Sequence, residues 1–403
     1  MKKSIAFITT GYFPIPPTMG GAVESLVYSL VKENEKKQHF ELVVFSVYEA
    51  EAKEQAKKYN HTRFIFIKVP SIIQGIDRLM YKIFTDILKV KKNMSYRYMM
   101  QRIWYEWKVA HFLKQENFER VIVENTPASF LALKWKKNSQ KYSGRYYYHL
   151  HNDIGNTFSC DNVIKNSESI ICVSKYIQEC FLVKYPDYDK KFHILMNCVI
   201  SNNGDSCTHV DFRKLLGIKE EEYMVLFAGR ISEEKGVMQL VEAFVQANLL
   251  DSKLVIVGGH FYNSDIISEY EKEVKEKARD FGDRIIFTGY IPYHMMQDVY
   301  DAADVAVFPS MWNEPAGLTI IEAMARGKAV ITTYSGGIPE YVGAGNVILL
   351  KKNEMLIESI ANALKHLYND LQLRNALREK ARKRAQSFSE EKYYEEFCHI
   401  MEE

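Results

Sequence analysis

The stretch Tyr223–Phe244, YMVLFAGRISEEKGVMQLVEAF, contains one complete structural step. Its opening, YMVLFAG, is apolar or small throughout, with no alternation. That is the pattern of a strand buried on both faces, as in a parallel sheet covered by helices. Arg230 follows the strand at once, and Lys235-Gly236 opens an amphipathic helical run.

The same step recurs along the chain. Short β-branched runs are expected as strands at Ile5–Thr10, Glu41–Ser46, Phe64–Val69, Arg120–Glu124, Tyr146–His151, Ser169–Ser174 and Phe192–Asn197. A second series follows at Tyr223–Gly229, Lys253–Gly259, Ile285–Tyr290, Val305–Ser310, Ala329–Thr333 and Val347–Leu350. Strand alternating with helix in both halves predicts an α/β protein of two Rossmann-like, doubly wound parallel-sheet domains. The polar cluster SNNGDS, Ser201–Ser206, places the break near residue 205. The expected domains are 1–204, 205–387, and a C-terminal helix, 388–403, free to pack back on the first. The chain is expected to close with helices Glu354–Asp370, Leu371–Ser387 and Glu390–Glu402.

Bulk properties exclude several classes. With 403 residues, two or three domains are expected. A net charge of +2 gives no global field for nucleic acid. The opening MKKSIAFITTGYFPIPP has an apolar run too short for a signal peptide, and no window suits a spanning helix, so a cytoplasmic protein is expected. Six cysteines, at 160, 172, 180, 198, 207 and 398, form no C-x-x-C, so reduced thiols and no metal are expected. No strand leads through G-x-G-x-x-G into a helix, which argues against a dinucleotide oxidoreductase.

Three strand–helix loops carry chemistry, in the place where open α/β sheets bind ligands. After the first strand, Gly20-Gly21 precedes a helical run from Ala22, where backbone N–H groups can approach an anion; the same pair also suits a plain turn. After YMVLFAG, Arg230 and Lys235 are placed to clamp a diphosphate, one as a planar fork and the other as a point charge. After Val305–Ser310 comes NEPAGLTIIEAMARGKAVI, Asn313–Ile331. Pro315-Ala316-Gly317 leads into helix Leu318–Arg326, whose unpaired amides, Ala316 to Leu318, favour an anion. Glu314 and Glu322 are then available to neutral hydroxyls on either side, of a sugar and a ribose.

These pieces resemble the retaining GT-B glycosyltransferases of the bacterial glycosyltransferase family 4 group. The resemblance rests on GGAVES, FAGRISEEKG, LVIVGG, IIFTGYIP, SGGIPEYV and the E-x7-E spacing of Glu314 and Glu322. It implies two domains facing a central cleft and closing about a hinge. It also implies a nucleotide-sugar donor, UDP by default, held mostly by the second domain. Arg230 and Lys235 would bind the diphosphate, Glu314 the transferred sugar and Glu322 the ribose, with backbone at Tyr290-Ile291 along the base. In YYYHLHND, His151 would line the sugar site, with His149 on the same strand face as its competitor. The implied catalytic set is His151, Glu314, Arg230 and Lys235. Donor contacts come from Gly20, Gly21, Pro315, Ala316, Gly317 and Leu318 as well. ILMNCVI departs from the pattern, with Cys198 where the family frequently has Gly.

The expected chemistry is front-face transfer of a hexose-type sugar, with no metal and no cofactor, to a lipid-linked glycan of a capsule, exopolysaccharide or other surface polymer. Competing readings are a sugar-nucleotide epimerase or phosphorylase on the same fold, or a non-catalytic partner subunit. Residues 75–114 hold nine Lys or Arg against three Asp or Glu, interleaved with aromatics. Such a stretch suits peripheral contact with an anionic membrane and equally a packed helix pair with a solvated basic face.

Overall fold

The computed structural model describes residues 2–84, 98–200, 209–259 and 268–403. Contacts divide the chain into two compact units, Met1–Leu195 with Glu390–Glu403, and Met196–Ser389. The break expected near residue 205 falls in 201–208, outside the described residues.

In the first unit, β1 (Lys3–Ile8), β2 (Phe40–Val47), β3 (Thr62–Ile67), β4 (Arg120–Glu124), β5 (Tyr146–Leu150), β6 (Ser169–Cys172) and β7 (Lys191–Ile194) form one sheet. Its order is β3-β2-β1-β4-β5-β6-β7 and every pairing is parallel. In the second unit, β8 (Tyr223–Ala228), β9 (Ser252–Val257), β10 (Ile285–Gly289), β11 (Val305–Phe308), β12 (Ala329–Thr333) and β13 (Ile348–Leu350) follow the order β10-β9-β8-β11-β12-β13, again parallel. Each expected strand is present. Most stop one to three residues early, because their last residues turn into the loops that carry polar groups. Thr9, just past β1, shows why: its hydroxyl donates to the Phe45 carbonyl at 2.8 Å.

Both sheets reverse their direction of winding once, between β1 and β4 and between β8 and β11. A crevice opens outside the carboxyl ends of strands at such a reversal, so ligand sites are expected at the loops after these four strands.

The last helix, Glu390–Glu402, belongs to the first unit and packs on helix Ala22–Lys37. Ser29 donates to Glu390 at 2.7 Å, the Lys32 ammonium lies 2.6 Å from the same carboxylate, and Tyr394 donates to Asn34 at 2.7 Å. Phe397 stacks on Phe7 of β1 at 5.8 Å.

Of the basic segment 75–114, residues 85–97 lie outside the described residues. The flanking helices, Ser71–Lys82 and Met99–Gln115, pack together. The buried Asp77 carboxylate accepts from the amides of Met100 and Gln101 at 2.8 and 3.0 Å, satisfying two otherwise unpaired donors at the start of the second helix. Outside that contact, Ile72, Ile76, Leu79 and Ile83 are exposed. Among the described residues no helix is long and apolar enough to cross a membrane.

Within Met99–Gln115, Glu106 is buried and accepts from Ser129 at 2.8 Å, while its second oxygen has no hydrogen-bond partner among the described residues. Burial raises its carboxyl to about 8, opposed by the Ser129 hydrogen bond and by Arg102. A raised folded value means that this group's contribution to stability is full below pH 4.5 and is lost as pH climbs through 8. Glu106→Gln, neutral at every pH, should therefore be more stable than the parent at pH 8 by roughly 1 to 3 kcal/mol, and melt at a higher temperature. The gap should shrink towards pH 5. Melting curves across that range check it, and an equal gap at both ends would contradict the assignment.

Candidate functional site

The second unit gathers its site from the loops after β8 and β11, with help from those after β12 and β13. Gly236, at φ +69°, lies so close to the Pro309 carbonyl that a Cβ would overlap it. The two loops are also laced by hydrogen bonds. The Glu234 carbonyl accepts from the Met311 amide at 2.8 Å and from the Trp312 amide and Ser310 hydroxyl at 3.3 Å. This lacing brings Lys235 to Glu314, which form an ion pair and hydrogen bond. Ser310 also donates to that Glu314 oxygen, at 2.9 Å, and the ammonium sits 5.9 Å from the Trp312 ring centre. Glu314 is buried and Lys235 partly so.

Arg230 behaves differently. Its side chain is 60% exposed and lies 3.6 Å from Glu234, one turn along the loop. At that exposure and distance the pair holds the guanidinium only weakly.

From the far side, Gly336 and Gly337 approach the backbone at Glu314. The Gly337 amide donates to the Glu314 carbonyl at 2.7 Å, and Gly336 sits at φ +52° against the same oxygen. Lys352, just past β13, donates to Asn313 at 2.8 Å and to the Ser335 hydroxyl at 3.1 Å. Its ammonium is pushed down by burial and up by Glu314, with a net lowering. Sequence reading missed this third cation. The signal was its place at the carboxyl end of a strand, but LLKKNE looks like an ordinary solvated pair.

Pro315 and Ala316 are buried, and Gly317, at φ +82°, caps helix Leu318–Ala325. The Ala316 and Gly317 amides make no hydrogen bond among the described residues. They remain donors at the positive end of the helix dipole. Glu322, one turn in, accepts from Tyr293 at 2.8 Å and Tyr300 at 2.9 Å, one hydroxyl to each oxygen. Burial raises its carboxyl, opposed by those two hydroxyls. Neither tyrosine was singled out from the sequence, because their role exists only once the helix brings Glu322 to them. Tyr290 is exposed and Ile291 half-buried, beyond the end of β10.

The first unit has its own cluster outside β1, β4 and β5. Gly20 donates its amide to the Pro17 carbonyl at 3.0 Å. Gly21, at φ +107°, faces the Glu24 carboxylate so closely that a Cβ would overlap it. Thr10 donates to Glu24, which is buried; burial raises its carboxyl, with the Thr10 hydroxyl opposing. An acid of this chain thus lies on the Cβ side of Gly21, next to the glycine pair. His149 and His151 both reach Glu124, the last residue of β4, which is 0% exposed. His151 Nε2 lies 3.0 Å from one carboxylate oxygen, and His149 Nδ1 hydrogen-bonds the other at 3.3 Å while lying 3.1 Å from the first. Cys198, in the second unit, is buried.

Comparison with known proteins adds to this geometry. Residues 210–384, most of the second unit, match the family model described as glycosyl transferases group 1. Over 393 residues the chain is 25% identical to a putative glycosyltransferase, YtcC, of Bacillus subtilis, covering 95% of this chain and 88% of that protein. It is also 25% identical over 403 residues to the lipopolysaccharide 1,2-N-acetylglucosaminetransferase of Salmonella typhimurium, covering 95% and 93%. Among solved structures it is similar to Anabaena Alr3699/HepE in complex with UDP and glucose, with a TM-score of 0.69, 19% identity and full coverage of both chains. The architecture is that of the GT-B glycosyltransferases, two Rossmann-like parallel-sheet domains.

Proposed function

We propose that this GT-B chain, whose second unit carries group 1 glycosyltransferase sequence, is a retaining hexosyltransferase using a nucleotide-diphosphate sugar, with UDP as the nucleotide. The observation that carries the reading is the Lys235–Glu314 pair beside the unpaired amides of Ala316 and Gly317. In the free protein Glu314 is the counter-ion of Lys235. A diphosphate arriving at those amides replaces it, and Lys235 then neutralises the leaving group while Glu314 turns to the sugar hydroxyls. Arg230, exposed and weakly held, has freedom to close on the phosphates; the surroundings of Lys352 place a further cation near Glu314. Glu322 retains lone pairs for a ribose hydroxyl beside its two tyrosines.

In the proposed reaction the bond between the anomeric carbon and the diphosphate oxygen breaks, and the diphosphate takes the electron pair. The acceptor oxygen forms its bond on the same face and gives its proton to the departing phosphate oxygen. The protein contributes positioning and electrostatic stabilisation of the leaving charge. Because side-chain cations supply that charge, transfer is proposed to proceed without a metal.

For the acceptor, we take a lipid-linked glycan of a surface polymer. The Salmonella relative, a lipopolysaccharide 1,2-N-acetylglucosaminetransferase, supports this class. So does the exposed face of Ser71–Lys82, with Ile72 78% and Leu79 61% exposed on a helix that also carries Arg78 and Lys82. The Lys108 ammonium, 5.0 Å and 5.3 Å from the stacked Trp104 and Trp107 rings, adds an amphipathic edge suited to an anionic interface. The protein should float with vesicles containing anionic lipid at low salt, and Leu79→Asp should reduce the floated fraction several-fold. Absence of flotation at low salt removes the membrane part of the reading.

The function itself is tested by thermal shift against a panel of nucleotide sugars, followed by transfer assays with EDTA present. One donor should stabilise the fold through mass action, and its product should keep the anomeric configuration. Inversion, or transfer that EDTA abolishes, would contradict the mechanism.

A further inference from the structure

The cluster outside β4 and β5 has a feature that the proposed reaction does not yet use. Glu124, His149 and His151 are 0%, 1% and 6% exposed, and both rings converge on the carboxylate. The ring centres are 4.1 Å apart. A buried carboxylate can only accept, so each ring must present an N–H to it. For His149 the nitrogen at Glu124 is Nδ1, and for His151 it is Nε2. The two neighbours are therefore held in opposite tautomers.

The remaining nitrogens agree with this assignment. His149 Nε2 is fully buried with no hydrogen-bond partner among the described residues. As a bare lone pair it costs less than a buried, unpaired N–H would. His151 Nδ1 likewise has no partner among the described residues, and it belongs to the first residue past β5, at the carboxyl edge of the sheet.

The surroundings keep the ring neutral. Burial and the neighbouring His149 push His151 down to about 4, with Glu124 opposing. Burial disfavours the Glu124 charge, yet the two imidazoles hold the carboxyl down to about 2. Among the described residues, Glu24, from helix Ala22–Lys37, also faces this cluster, and its carboxyl is itself raised by burial. The backbone reinforces the arrangement: Asn125, at φ +52°, donates its amide to the His149 carbonyl at 2.7 Å and accepts from the His151 amide at 3.2 Å.

We propose that Glu124 is a positioning residue that locks His151 as the neutral Nε2–H tautomer, so that its Nδ1 lone pair accepts a hydrogen bond from a carbohydrate hydroxyl. This rests on the glycosyl-transfer reading. A fixed acceptor selects a hydroxyl over hydrogen or fluorine at that position of the sugar, because neither can donate.

The experiment uses the full chain, labelled with 15N-histidine, and long-range proton–nitrogen NMR at pH 7.5. His149→Phe and His151→Phe assign the two rings. The parent protein should show His151 as the Nε2–H tautomer and His149 as Nδ1–H. Glu124→Gln keeps the shape, but its amide accepts at one atom and donates at the other, so a ring that faces the NH2 group must change tautomer. With the switch at His151, kcat should fall about 10- to 100-fold with donor KM changed less than about threefold. Glu124→Asp should keep the parent tautomers wherever its shorter side chain still reaches, and with them most of kcat.

The proposal is overturned if the parent His151 is Nδ1–H or doubly protonated, a result that needs no variant to fold. It is also overturned if kcat falls in Glu124→Gln while His151 keeps its tautomer, or if the tautomer changes and kcat does not. Stoichiometric zinc in the purified protein would overturn it too, because the three ligand atoms lie within 4.8 Å of one another and a cation would then replace the shared protons. If the parent transfers no sugar from any donor, the functional reading fails, while the tautomer measurement still decides the role of Glu124.

Discussion

Lys235→Met should lower kcat for sugar transfer about 10²- to 10³-fold, the usual scale for removing one group that stabilises developing charge. The ammonium is held by Glu314 and lies over Trp312, beside the amides of Ala316 and Gly317. Without it, the leaving diphosphate loses a cation. Glu314, buried and no longer neutralised, also becomes a repulsive neighbour. The double variant Lys235→Met with Glu314→Gln should therefore bind donor better than Lys235→Met alone, although it still lacks the sugar contact. Such coupling between touching residues is read from a double-mutant cycle. Steady-state kinetics of the parent, the two single variants and the double variant make the measurement. Strict additivity, or a single variant within threefold of the parent, would dismiss the exchange of partners.

The second large effect is expected from one methyl group. Gly336→Ala should cost about 2 to 4 kcal/mol and abolish the thermal shift given by donor. At φ +52° an L side chain is already strained, and here the added carbon would overlap the carbonyl of Glu314 and the backbone of Asn313. Backbone cannot rotate aside as a long side chain can. The turn carrying Glu314 must move, and the 2.7 Å bond from Gly337 goes with it. Gly345→Ala is the matched control. That glycine has φ +73° but nothing within 4 Å, so only the conformational penalty of about 1 kcal/mol remains and donor binding should persist. Equal losses in the two variants would show that packing against Glu314 has no special role.

The strands were legible because burial on both faces leaves an unbroken apolar run, and VLFAG, LVIVGG and VAVFPS show it directly. The loops were legible for a related reason: where such a run ends, the next polar residues are aimed outside the sheet edge. Arg230, Lys235 and Glu314 could be picked out this way, but their mutual arrangement could not. That Lys235 pairs with Glu314 depends on Gly236 touching Pro309, a contact between distant parts of the chain. Tyr293 and Tyr300 on Glu322, Lys352 near Glu314, and Glu124 beneath the two histidines were hidden for the same cause. Each is an unremarkable residue type until a non-local partner gives it work. At Gly20-Gly21 the local pattern was equally open: the Gly20 amide closes a turn on the Pro17 carbonyl, and Glu24 lies where a Cβ on Gly21 would be.

Synthesis on the ribosome gives the position of the last helix a temporal meaning. Phe397 lies over Phe7, a residue of the very first strand, and Glu390 anchors to Ser29 and Lys32. At about 5 to 20 residues per second, a nascent chain that has emerged through β7 waits on the order of ten to forty seconds for that cover. During this delay the apolar surface around Phe7 lacks its cover, and Glu390–Glu402 works as a clasp added after the rest of its unit.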